Sequence, residues 1–252
     1  MNQNLKKLAV IRNWAKLKLL VFAAYLLGCT VSSGQAQDPD ARVVLEKSIK
    51  YHDPHSRWNA AVLKIYIQEP RIDLPERSSQ LILNNRIGHF ELKRNHGGDV
   101  STHIIDSLGN LEVLWNGTKE ISLDVKEKYK LVPQNNLRFK SFYHRMYGLP
   151  MTLVNEKIET PKAKSVKFKG RDAWSIDIAL EKPMISDHWR LYFSSINYEL
   201  IGVEFLDEKA NTNEKIIFND AININGTSLP RIRNWYDHSG EYLGSDIIVK
   251  QL

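Results

Sequence analysis

The chain has 252 residues, 42% of them hydrophobic and 25% charged, an ordinary globular composition that gives no sign of a disordered chain. Its length suits one large β domain or two small ones. The formal charge of +6 is misleading: five of the 35 basic residues (Lys6, Lys7, Arg12, Lys16, Lys18) precede residue 29 with no acid among them. The rest holds 30 bases against 29 acids, which gives no reason to expect a nucleic acid partner.

Residues 1–28 read as a secretory signal, with a basic start and the apolar run Leu19–Gly28, too short and one-sided for an ordinary membrane span. Leu26-Leu27-Gly28-Cys29 resembles the bacterial lipobox, in which the cysteine becomes the acylated first residue of the mature protein. Cys29 is the one cysteine of the chain, so the mature protein has no disulfide, although it would occupy an oxidising compartment. Residues 29–37 are small and polar and suit a tether. The competing site is Gly34-Gln35-Ala36, where ordinary signal peptidase cleavage would give a soluble periplasmic or secreted protein. The expectation is an envelope protein held to a membrane by N-terminal acyl chains, on the periplasmic side or the cell surface.

Asp38–Trp58 predicts a short helix that stops abruptly. Asp38 is the expected cap and Pro39 the first helical residue. Ala41, Val44, Leu45, Ser48, Ile49 and His52 fall on one stripe at helical spacing, with Lys47 and Lys50 off it. Asp53-Pro54 ends the helix, because the residue before proline leaves the α region. A lone helix before a long β meander must bury its stripe on a sheet face.

Strands are expected at 58–68, 79–83, 87–93, 100–106 and 111–115, with Asn116-Gly117 turning into an answering strand at 118–123. Asp124–Lys130 reads as a helical turn. Leu137, Phe139, Phe142, Tyr143, Met146 and Tyr147 predict a second helix, with Asn135 and Asn136 as possible caps and Gly148 and Pro150 closing it. From Ala163 strand signals resume and run to Val249. With no linker or repeat to divide it, 38–252 is expected to be a single, monomeric, mainly β (α+β) domain of about 10–11 antiparallel strands, the count following from strand signals near every ten residues.

Tyr51-His-Asp-Pro54, Tyr147-Gly-Leu-Pro-Met151, Pro230-Arg-Ile-Arg-Asn-Trp-Tyr236 and Leu243-Gly-Ser-Asp246 together resemble an uncharacterised family of bacterial lipoproteins, from about Asp38 to the C-terminus. The order of helix, meander, central helix and meander is similar to the LolA/LolB class of lipoprotein carriers. That resemblance implies a half-barrel with the N-terminal and central helices over its concave side and an apolar cavity between. Shared architecture does not convey function, and the closer family brings no catalytic residues with it.

Three groups of residues are candidate sites. His52, Asp53 and His55 form H-D-x-H, which could hold a divalent cation, but a helix stripe, a turn and a packed ring explain the same positions, so no metal is expected. Arg231, Arg233 and Trp235 alternate along a strand and could meet an anionic head group, although a solvated strand face with arginine stems on an aromatic ring is preferred. Trp58, Phe142, Met146 and Tyr147 are apolar and inward-facing, so they line a cavity or complete the core. No nucleophile elbow, phosphate loop or dinucleotide fingerprint is present, so no catalytic residue and no cofactor is assigned. Three readings remain: a binding protein for an apolar or acyl ligand, a structural or partner-binding envelope lipoprotein, and, least supported, a hydrolase or metal-dependent enzyme.

Overall fold

The structure, a computed structural model, describes residues 38–72, 74–209 and 211–252. The leader, Cys29 and the tether therefore lie outside the described residues. Thirteen strands form one sheet: β1 (Val62–Gln68), β2 (Ser78–Asn84), β3 (His89–Asn95), β4 (Val100–Ile105), β5 (Leu111–Trp115), β6 (Lys157–Ile158), β7 (Lys164–Phe168), β8 (Arg171–Met184), β9 (Ser186–Ser194), β10 (Leu200–Leu206), β11 (Thr212–Ile224), β12 (Thr227–Asp237) and β13 (Tyr242–Gln251). Every pairing is antiparallel. The order is β5-β4-β3-β2-β1-β13-β12-β11-β10-β9-β8-β6, with β7 also on β8, so the sheet stays open between β5 and β6. The first and last strands meet at its centre, where β1 pairs with β13. Residues Asp38–Leu252 make one compact unit.

The strand count exceeds the sequence expectation, and the boundaries moved for physical reasons. β6 is two residues long, too short to leave a periodic signal. Lys215–Phe218 and Ile222–Ile224, whose strand signals look separate in the sequence, lie on one strand, β11, which keeps its register with β12 through Asp220, where φ is 55°. Trp58–Ala60 is a single 3-10 turn. Asn116-Gly117 does turn with positive φ at both residues, but only an isolated Trp115–Thr118 bridge follows, and Leu123–Tyr129 forms helix α2.

Two longer helices, α1 (Ala41–His52) and α3 (Asn135–Tyr147), cover the concave face of this half-barrel. Helix α1 buries Ala41, Val44, Leu45, Ser48 and His52 of the expected stripe, and Ile49, the remaining member, is half-buried against the core. Its cap is Asp40, which accepts from the Arg42 amide at 2.9 Å, and not Asp38. The chain is held extended just before it, because the Pro39 carbonyl accepts from the Ala163 amide. The concave surface of the strands is one apolar wall from Leu63, Ile65 and Leu81 to Val203, Phe205, Ile176 and Ile178. The opposite face carries cross-strand polar pairs such as Asp177–Arg190 and Tyr192–Glu204. Among the described residues no helix is long and apolar enough to cross a membrane.

Candidate functional site: the concave wall beneath the central helix

Helix α3 is pinned at its start by a side chain that looks in sequence like a cap. Asn136 is fully buried and its amide donates to the carbonyls of Ile104 (2.9 Å) and Glu112 (2.7 Å) on the outer strands. Its oxygen accepts from His103 Nδ1 at 2.9 Å, which fixes that ring's tautomer. The far end of α3 is fixed by close approach. A Cβ at Gly148 would lie 2.5 Å from both Trp58 and Thr152, so no other residue fits there. Between these anchors α3 lays Phe139, Phe142, Tyr143, Met146 and Tyr147 towards the sheet.

Beneath Tyr143 lies a polar cluster in an otherwise apolar wall. Glu69, 2% exposed, accepts from Arg77 Nε at 2.5 Å, Arg94 Nη2 at 3.1 Å and Tyr143 Oη at 3.3 Å. Burial alone would raise the pKa of Glu69, but the charges of Arg94, Arg77 and Arg71 outweigh it and hold the carboxyl below its ordinary value. Asp246 on β13 accepts from Arg71 with one oxygen and from Trp235 Nε1, at 2.9 Å, with the other. Arg71 reaches it because the loop after β1 crosses β13 at Gly244, where φ is 147° and an added Cβ would stand 2.5 Å from the Pro70 carbonyl.

Arg233 on β12 is the most enclosed of these cations, 1% exposed. The ring of Tyr147 lies over its guanidinium, 3.9 Å from carbon to centroid. Nη1 donates to the Pro230 carbonyl at 2.8 Å, while among the described residues no acceptor reaches Nε or Nη2. The hydroxyl of Tyr147 is also buried, and among the described residues it has no partner. Burial lowers the pKa of Arg233, against the raising influence of Tyr147 and Asp246.

From the same wall an aromatic stack runs inward. Phe142 on α3 stacks on Trp235 at 6.4 Å, Trp235 on Phe205 at 6.1 Å, and Phe205 meets Trp189 edge-on at 5.0 Å. The first two rings are half-buried and the last two wholly buried. The stack thus leads from solvent into the core across β12, β10 and β9.

The sequence candidates are distributed unevenly around this site. Phe142, Met146, Tyr147, Arg233 and Trp235 come together in it, with Met146 and Tyr147 each 1% exposed. Trp58 stands apart, packed on Gly148 and His144. Arg231 leaves the group altogether: it pairs at 3.0 Å near the surface with Asp220, which lies across from it on β11 between the ladder partners of Ile232 and Pro230. The solvated-face reading therefore holds for Arg231 and fails for Arg233, which Tyr147 and the wall enclose. His52 uses both ring nitrogens, Nδ1 with the Ser228 carbonyl at 2.7 Å and Nε2 accepting from the Leu200 amide at 3.0 Å. Asp53 accepts from the amides of Arg57 and Trp58, and His55 is exposed. Among the described residues no cluster of His, Cys, Asp and Glu has metal-binding geometry.

Glu69, Arg71, Arg77, Arg94, Tyr143 and Asp246 were not foreseen as a group. The sequence signal for Asp246 was its place in Leu243-Gly-Ser-Asp246; Tyr143 read only as part of a helix face, and Glu69, Arg71, Arg77 and Arg94 sit at or near strand ends where charge is unremarkable. A separate cleft of about 440 Å3 lies at the outer edge of the sheet, lined by Leu111 and Val113 of β5 and by Lys126, Leu131 and Pro133.

The model of a family of unknown function, DUF6503, matches residues 20–251. Among curated proteins the chain has no match. Several solved structures are similar. A LolA superfamily protein from Nitrosomonas europaea is 13% identical with a TM-score of 0.45, covering 84% of this chain and 93% of its own. A domain assigned as an outer membrane lipoprotein-sorting protein from Vibrio parahaemolyticus is 13% identical, TM-score 0.43, covering 82% and 91%. A DUF1329 family protein from Desulfovibrio piger is 10% identical, TM-score 0.41, covering 84% and 91%.

Proposed function

The chain belongs to the DUF6503 family, whose description names no activity, and we propose that it is an exported, lipid-anchored envelope protein whose half-barrel binds an apolar or acyl ligand on its concave face. The aromatic stack Phe142–Trp235–Phe205–Trp189 carries this reading. It offers an apolar path from the surface into the core between a helix and the sheet, the kind of place where small-molecule sites occur. Met146 beside it adapts to irregular apolar shapes. Export and anchoring are supported by Leu26-Leu27-Gly28-Cys29, and an anchored protein would work among acyl chains. Catalysis by the His52 group is disfavoured, because both nitrogens of that ring are committed to the backbone.

A second reading is a structural or partner-binding lipoprotein whose interior is filled by its own side chains. The near-complete burial of Met146 and Tyr147 favours it. Chain-length dependence separates the two. Burial of a CH2 contributes roughly 0.8 kcal/mol before association costs, about fourfold in affinity. Titration of the protein with fatty acids and phospholipids of increasing length, followed by tryptophan emission, should show affinity climbing with each carbon. Flat responses across the series would favour the filled interior.

A further inference from the structure

We propose that Arg233 receives the oxyanion of an amphiphile, a long-chain carboxylate or phosphate monoester, on the edge formed by its Nε–H and Nη2–H groups. This rests on the apolar-ligand reading and adds the head group to it.

The first observation is which donors lack an acceptor. Nη1 is committed to Pro230, and the two N–H groups left over are Nε and Nη2. They form one side of the planar guanidinium, the parallel pair that grips two oxygens of a carboxylate or phosphate. The part of Arg233 without a partner is thus a complete bidentate edge. A guanidinium enclosed only to fill space would be a poor choice, because a buried charge with unmade hydrogen bonds is destabilising.

The second observation is that the protein's own carboxylates are diverted from it. Asp246 is the residue directly across the ladder from Arg233, on the same face. Its oxygens go to Arg71 and to Trp235. Glu69 is taken up by Arg77 and Arg94. Four guanidinium groups therefore share two carboxylates, and the wall carries an excess of positive charge that an incoming oxyanion would reduce.

The third observation is the position of the aromatic pair. Trp235 lies two residues along β12 on the same face as Arg233, and Phe142 lies on α3 one to two turns before Tyr147. This half-buried pair is a part of the wall that solvent touches. A ligand whose head reaches Arg233 can lay its chain along these rings. Tyr147 covers the guanidinium face and leaves the in-plane approach to the edge as the route for an anion. Since Arg233 is enclosed, binding must part the side chains over that edge, and Trp235 emission should report it.

The test compares decanoate, decylphosphate, decanol and inorganic phosphate on the full-length protein at a pH where the acids are ionised, read by tryptophan emission. Decanoate or decylphosphate should bind at least about tenfold more tightly than decanol, as expected for charge-assisted hydrogen bonds. In Arg233→Gln that ratio should fall to about one with decanol affinity kept. Arg233→Lys retains charge without the planar edge and should lose most of the preference. Melting curves establish that each variant is folded, and the lysine variant decides the matter where the glutamine variant is not. Equal affinity for decanoate, decylphosphate and decanol in the wild type would overturn the head-group assignment and leave the apolar-ligand reading standing. No response to any chain would overturn both. Tight binding of inorganic phosphate that is lost in Arg233→Gln would overturn the amphiphile in favour of a free oxyanion.

Discussion

Arg233 and Asp246 face each other as ladder partners across β12 and β13, and Asp246 nevertheless gives its oxygens to Arg71 and Trp235. The arrangement makes Asp246 the hub of the wall. Asp246→Asn should destabilise the protein by about 3–5 kcal/mol, since it strips the counter-charge from a partly buried arginine and leaves Arg233 further from any anion. Denaturant unfolding of the two proteins side by side checks this, and a change within about 0.5 kcal/mol, the level of an ordinary surface substitution, would contradict it.

Asn136 should prove as important to the fold as a large apolar residue. Asn136→Ala leaves two strand carbonyls and His103 Nδ1 without their partner. A loss of about 1–3 kcal/mol per orphaned group is the scale expected before relaxation, so the midpoint of unfolding should drop clearly. Asn135→Ala, whose side chain reaches only the Lys130 carbonyl near the surface, should change it far less.

The stripe of α1 offers a contrast between two apolar residues of one helix. Leu45 is fully buried and Val43 is 40% exposed. Leu45→Ala should destabilise by about 2–5 kcal/mol, and Val43→Ala by within about 0.5 kcal/mol. Comparable losses from the two would show that α1 does not seat its stripe on the sheet.

Stability should fall on mild acidification. His52, His103 and His144 have pKa values lowered, chiefly by burial, and His96 is lowered to about 4 by burial with Arg94 and Arg77 nearby. The unfolded chain takes up these protons near pH 6.5 and the folded chain resists them, so the unfolded state binds more protons below that pH. The histidine contribution is fully present above about 6.5 and is lost as pH falls towards the folded values. Glu69, lowered from 4.5, adds a loss in the same direction at lower pH. The melting temperature should be nearly flat from pH 8 to 7 and decline from about 6.5 downwards. A constant melting temperature between pH 7 and 5 would contradict the assignment.

The elements of this fold were legible where periodicity is local. Val44, Leu45, Ser48 and His52 specify a helix face, and Ile176, Ile178 and Leu180 a strand face, within their own segments. Asn136 shows the limit: capping chemistry is the same whether a side chain turns to its own helix or to a distant strand. The site was half legible. Phe142 and Tyr147 carried apolar character at inward positions, and Arg233 and Trp235 stood out only as a strand face expected to be solvated, but the join of Glu69, Arg94 and Tyr143 spans 74 residues of chain and depends on pairings that leave no local trace. Arg231 and Arg233 look alike in sequence, and what separates them is the partner each finds, Asp220 for Arg231 and the ring of Tyr147 for Arg233.

Anchoring, which we propose from Leu26-Leu27-Gly28-Cys29, is tested apart from the fold. The mature protein should begin at an acylated Cys29, and Cys29→Ala should release the domain from the membrane or stall its processing. Mass spectrometry of the wild-type N-terminus checks this, and an unmodified start at Gln37 would place cleavage after Ala36 instead.

The most direct measurement of ligand binding is photo-crosslinking with a fatty acid that carries a diazirine along its chain, followed by peptide mapping. Labelling should concentrate on α3 around Phe142 and Met146 and on β12 around Trp235, and excess unlabelled fatty acid should compete it away. Labels spread over the opposite face of the sheet, or unaffected by competitor, would contradict a ligand on the concave wall.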